Sequence, residues 1–172
     1  MLRPIGSATP ATLAHTANVA HVDAPAQTRL DPYAIPGSYR APTHCPECGA
    51  VYLFGRWTWT LAPRGSATQV CPACRRIADD EPAGTLSIDG TFAEDHRAEL
   101  LEFIAVMAEQ QRIAFPIQRV VSVEASAHRI DVSTTDIELP QYLGEALRAA
   151  YEGRLDVRYG AADYSVRVSW HR

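Results

Sequence analysis

Residues 45–74 read CPECGAVYLFGRWTWTLAPRGSATQVCPAC, and Cys45, Cys48, Cys71 and Cys74 in this stretch are the only cysteines of the 172-residue chain. A Cys-x-x-Cys pair holds two thiolates at the tip of a tight turn, and two such turns brought together complete a tetrahedral ligand shell. The 22 residues between the pairs exceed the usual spacer of roughly 15–20, so they must form a hairpin that folds the second turn back onto the first. The β-prone runs Ala50–Phe54 and Trp57–Leu61 supply its strands. Gly55-Arg56 separates them, and the turn-rich Ala62-Pro63-Arg64-Gly65-Ser66 closes them. The expectation is a zinc ribbon over residues 41–80 holding one structural zinc ion.

Other chemistries of four thiols fit less well. A disulfide framework belongs to small secreted domains, whereas residues 1–30 lack the continuous apolar core of a signal peptide and a chain this long buries a core without staples. A redox pair asks for a Cys-x-x-Cys opening a helix after a strand, and two pairs each containing proline read better as knuckles. Iron is the nearest rival, since four thiolates suit both ions. Gly49 follows the first pair but Arg75-Arg76 follows the second, which favours zinc. His44 and His96 read as cap or surface residues, because four thiolates already fill the shell.

A net charge of −4 and a pI near 5.8 exclude global attraction to nucleic acid or to an anionic membrane, so any such contact needs a local patch. All sixteen basic residues are arginine, the side chain best suited to gripping phosphate in two places. No stretch has the length of a membrane span, and the chain reads as soluble and cytoplasmic.

Residues 1–40, rich in Ala, Pro, Thr and Ser, read as a disordered tail. Asp79–Gly84 has the charges and breakers of a linker. From Thr85 a small α+β domain is expected over residues 85–172. A strand at Thr85–Gly90 precedes a helix from residue 93 to about 112, which Pro116 stops. Strands at Ile117–Glu124 and Arg129–Ser133 pair as a hairpin. A second helix has Pro140 in its first turn and Gly153 at its end. Two alternating runs, Leu155–Tyr159 and Tyr164–Trp170, form a final hairpin. The fold class is therefore α+β: an N-terminal four-cysteine zinc ribbon, then a mostly antiparallel sheet with two helices.

No enzyme signature is present: neither GxxxxGK[ST], GxGxxG, GxSxG nor HExxH occurs. His96, Glu99 and Glu102 share a helical flank, read as a solvated face. A closed shell of four thiolates leaves no open position for water, so a non-enzymatic protein is expected, without a small-molecule substrate. Arginines interleaved with aromatics are what single-stranded nucleic acid uses for phosphate contact and base stacking. The candidate contact residues are Arg56, Trp57, Arg64, Arg75 and Arg76 on the ribbon. Arg158 and Arg167 join them as cross-strand neighbours on the last hairpin.

CPECGAVYLFGRWTW (45–59), CPACRRI (71–77), PAGTL (82–86), TTDIELPQYLGEALRAAYEGRLDVRYG (134–160) and YSVRVSW (164–170) resemble a small group of uncharacterised bacterial zinc-ribbon proteins. That group is in turn similar to the N-terminal part of the large-ribosomal-subunit export adaptor of the nonsense-mediated-decay type. The resemblance spans roughly residues 42–172. It implies ribosomal RNA or a ribosomal subunit as partner. The adaptor has further cysteine pairs that this chain lacks, so only Cys45, Cys48, Cys71 and Cys74 carry over. The alternative expectation is a zinc-stabilised adaptor that binds another protein.

Overall fold

Short apolar runs build two sheets, and each sheet carries one parallel pair. The computed structural model describes residues 30–34, 37 and 39–172. In the first sheet, β1 (Thr43–His44), β2 (Val51–Leu53), β3 (Arg56–Thr58) and β4 (Ala67–Thr68) lie in the order β3-β2-β1-β4. The β1–β4 pair is parallel and the other two are antiparallel. Phe54 and Gly55 join β2 to β3, both with positive φ (50° and 80°), as a two-residue turn matched to strand twist requires.

Helix α1 (Pro72–Asp79) follows. Cys71 caps it, with its Sγ accepting from the Cys74 N–H, and Pro72 occupies the first turn, where its missing N–H costs nothing. The second cysteine pair therefore opens a helix, where a second knuckle was expected. The cysteines lie at residues 45–74, inside the chain and not at its N-terminus.

The expected disordered tail lies largely outside the described residues, but its last stretch packs. Tyr39 is buried, Asp31 pairs with Arg76 at 2.5 Å, and the Tyr33 hydroxyl donates to Asp79 at 2.8 Å.

The second sheet contains β5 (Gly84–Asp89), β6 (Val120–Ala125), β7 (Arg129–Thr134), β8 (Arg154–Tyr159) and β9 (Val166–His171), in the order β6-β7-β5-β9-β8. The short α2 (Thr91–Asp95) and the long α3 (Arg97–Ala114) link β5 to β6, and α4 (Glu138–Tyr151) links β7 to β8. Two expectations are corrected here: there are four helices among the described residues, and the sheet is mixed. The α4 crossover makes β8 run in the direction of β7. The β8–β9 hairpin then reverses the chain, so that β9 enters beside β5 and parallel to it.

Alternation directs one face of this sheet inward. Leu86, Ile88, Ile130, Val132, Leu155, Val166, Val168 and Trp170 meet Leu100 and Ile104 of α3 and Leu139, Leu143 and Leu147 of α4. Gly144 lets α4 settle, because a Cβ there would stand 2.7 Å from Leu155 Cδ1 and 2.9 Å from Val168 Cγ1. The opposite face is polar: Asp131 accepts from the Ser87 hydroxyl at 2.7 Å and from Arg129 Nε at 2.8 Å. No helix among the described residues is long and apolar enough to cross a membrane.

Asp136 closes the start of α4, its Oδ2 accepting from the N–H groups of Glu138 and Leu139 at 3.2 Å each. Its Oδ1 is buried without a partner. Burial, aided by the neighbouring Glu138, pushes its carboxyl up to about 9. A pKa raised by folding stabilises the protein fully below the unfolded value of about 3.9, and that contribution is lost as pH rises through the folded value. Urea midpoints should therefore fall between about pH 5 and about pH 9 in the wild type and stay flatter in Asp136→Asn. Equal slopes in the two proteins would contradict this.

Candidate metal centre

The first pair sits in a tight turn: Cys45 N–H donates to the Ala50 carbonyl at 2.8 Å and Gly49 N–H to the Cys45 carbonyl at 2.9 Å. The second pair is delivered by the start of α1, and the parallel β1–β4 pairing sets it beside the first. The four Sγ atoms lie within 4.8 Å of one another, with Cys48 and Cys71 at 3.8 Å. A tetrahedral tetrathiolate with bonds of about 2.3 Å has edges of about 3.8 Å. The donor set and its spacing can hold a metal ion. Cys45 and Cys71 are buried, and Cys48 and Cys74 half-buried.

Burial opposes ionisation of Cys45, but the N–H groups of Cys71, Cys48 and Glu47 aimed at it bring its thiol down to about 7. Burial pushes the Cys71 and Cys74 thiols up, and the negative charge of neighbouring sulfurs adds to this. Four sulfurs this close ionise together only around a cation, which deprotonates coordinating thiols outright. A helix-opening Cys-x-x-Cys is also what a redox pair asks for. Such a pair presents an accessible sulfur of lowered pKa, whereas Cys71 is buried with its thiol raised.

One residue that sequence reasoning missed belongs to this site. Arg119 lies just before β6, and its Nη2 donates to Cys48 Sγ at 2.9 Å and its Nη1 to Cys74 Sγ at 3.3 Å. Burial works against its charge, but these hydrogen bonds hold its guanidinium above its ordinary range. Trp59 covers it, with the ring centroid 5.9 Å from the guanidinium carbon.

The residues expected to contact nucleic acid divide. Trp57 is only 8% exposed and packs edge-on against Tyr39, ring centroids 5.0 Å apart. Arg76 is 4% exposed, paired with Asp31 and lying under the Tyr33 ring at 4.3 Å. Both are structural: Tyr39 covers Trp57, and Asp31 and Tyr33 cover Arg76. Half-buried Arg75 donates to the Tyr33 carbonyl and the Tyr39 hydroxyl. Arg56 and Arg64 remain exposed. Arg158 and Arg167 stand directly opposite each other on β8 and β9, both exposed. Phe54, 95% exposed, is the most exposed large hydrophobic side chain among the described residues. The dipeptide Phe54-Gly55 between two strands was the available signal for it. No family model, curated protein or solved structure matches this chain.

Proposed function

We propose a non-enzymatic protein whose metal-clasped ribbon contacts single-stranded RNA, with zinc as the structural ion. Its sequence resemblance points to a ribosomal particle as the source of that RNA. The observation carrying this reading is the exposed tip of the ribbon. In the first sheet Thr43 stands opposite both Tyr52 and Ala67. Cys45 lies beyond His44 on one side of that row. Arg40, Phe54, Arg56 and Arg64 lie beyond it on the other. Cysteines and tip therefore occupy opposite ends, so the metal braces a surface that it does not line.

Phe54 holds φ at 50° while 95% exposed, a conformation costly for a bulky side chain and uncompensated by burial. An exposed ring flanked by arginines suits a stacked base and its phosphates. Arg158 and Arg167 add a second basic spot, since like charges set directly opposite are unfavourable until an anion joins them.

Anisotropy titrations of the full chain with single-stranded ribosomal RNA fragments test this. Affinity should fall steeply with salt, and Arg56→Ala or Arg64→Ala should each lower the log–log slope by about 1. Phe54→Ala should weaken binding by about 1–3 kcal/mol with no loss of stability. Salt-insensitive affinity, or no binding at low salt, would sink the proposal.

A second reading, a protein-binding adaptor, has its own observation. A cleft of about 340 Å³ between α3 and β6 is lined by Leu101, Ile104, Ala105, Val120 and Val123. A partner retained after nuclease treatment would favour it.

A further inference from the structure

Among the described residues, Arg119 is the only one other than the cysteines themselves whose side chain hydrogen-bonds to any of the four sulfurs. Its other bonds all belong to the second half of the chain. Nε donates to the Pro116 carbonyl at 2.7 Å, the backbone N–H donates to Thr135 Oγ1 at 3.0 Å, and the Thr135 N–H donates to the Arg119 carbonyl at 2.9 Å. Thr135 is itself buried, directly after β7. The side chain is thus fixed from the larger sheet before its fork reaches the ribbon. Trp59 adds a contact in the other direction, its Nε1 donating to the Arg112 carbonyl at 2.8 Å.

We propose that Arg119 is an outer-sphere positioning residue of the metal centre. It stabilises the metal-loaded tetrathiolate by charge and hydrogen bonding, and through the metal it ties the ribbon to the α+β half. Four thiolates around a dication carry a net charge of −2, which is costly to enclose, and a guanidinium alongside halves it. The planar fork serves the sulfurs of Cys48 and Cys74 together, which a lysine ammonium, a single point of charge, does poorly. Groups that hydrogen-bond to metal ligands commonly alter metal affinity by about 10–100-fold when removed. The inference rests on the metal reading of the cysteines and not on RNA contact.

Cobalt(II) added to the full chain is the probe, since its thiolate charge-transfer bands report the electron density on sulfur. Wild-type protein should take up one equivalent with intense near-ultraviolet bands. Arg119→Gln should bind cobalt about 10–100-fold more weakly, with the bands moved to lower energy because the thiolates have lost N–H donors. Arg119→Lys should recover part of the affinity by restoring charge without the fork. If Arg119 merely fills space at the seam, the Gln variant will match wild type in affinity and band position, and the proposal is overturned. Should the Gln variant fail to fold, the Lys variant decides: wild-type affinity and bands overturn the proposal, and weakened binding supports it. Failure of the wild type to bind cobalt would instead overturn the metal reading, leaving RNA contact to be judged on its own titration.

Discussion

Cys71→Ser protein is expected to lose the ribbon and keep the larger sheet. Cys71 is the most connected of the four cysteines: its N–H donates to Cys45 Sγ at 3.3 Å, its own Sγ accepts from the Cys74 N–H at 3.4 Å, and Cys48 Sγ lies 3.8 Å away. The ribbon has little else to hold it. Its buried cluster is Tyr39, Cys45, Ala50, Trp57, Cys71 and Ala73, and its strands are two or three residues long, too short to stand alone in water. The proposed structural zinc would add to this, since such ions contribute about 10–16 kcal/mol to the folding of small modules.

Tryptophan emission offers the readout, because Trp57 is buried in the ribbon while Trp170 is buried in the other core. The variant, or wild type treated with a strong chelator, should show a red-shifted component from Trp57 with helical circular dichroism largely retained. Unchanged emission after metal removal would show that the ribbon folds on packing alone. Collapse of both signals together would show one cooperative unit joined through Arg119 and through Trp59 on Arg112.

Replacement of Trp170 by alanine should be the most destabilising change in the second half of the chain. The indole is fully buried on β9, opposite Ile88 on β5 and Leu155 on β8, and packs edge-on against Phe92 of α2 at 6.3 Å. Truncating such a residue costs about 3–5 kcal/mol through lost burial and the cavity left behind. That is a large share of the about 5–15 kcal/mol that holds an ordinary domain. Its Nε1 also donates to the Glu152 carbonyl at 2.8 Å. Trp170→Phe probes this bond: it keeps most of the volume and should lose about 0.5–1.5 kcal/mol for the bond, the net value of an ordinary hydrogen bond. Urea midpoints with a constant slope would measure both, and a loss below about 1 kcal/mol in the alanine variant would contradict the packing described.

Local pattern reached much of this architecture. The Cys-x-x-Cys spacing located the sulfurs because each pair is set by its own few residues, a tight turn for the first and a helix start for the second. The runs Leu155–Tyr159 and Tyr164–Trp170 announced their hairpin by alternation, and the structure pairs Arg158 with Arg167 across it. Alternation says which face a strand buries but not which strand lies beside it, so the entry of β9 next to β5 was hidden. Trp57 and Arg76 were read as contact residues because arginines and aromatics interleave along the ribbon, yet Tyr39 covers Trp57 and Asp31 and Tyr33 cover Arg76, all arriving from another part of the chain. Arg119 was out of reach for the same reason. It lies 71 positions from Cys48 and 45 from Cys74, and no periodicity connects it to them.

The central position of β9 also constrains how the molecule is made. Its register with β5 pairs Asp89 with His171, residues 82 positions apart, so β5 emerges long before the neighbour that completes one of its sides. In that interval β8 has nothing to join, and the β5 edge presents unpaired backbone groups beside Leu86 and Ile88. Such an edge is a template for pairing with another chain, and contacts this distant in sequence form slowly. Synthesis arrested before residue 166 would release a sheet open at its middle. Chains shortened from that side should aggregate, whereas equal losses from the residues before Leu30 leave every strand of the sheet with its partner.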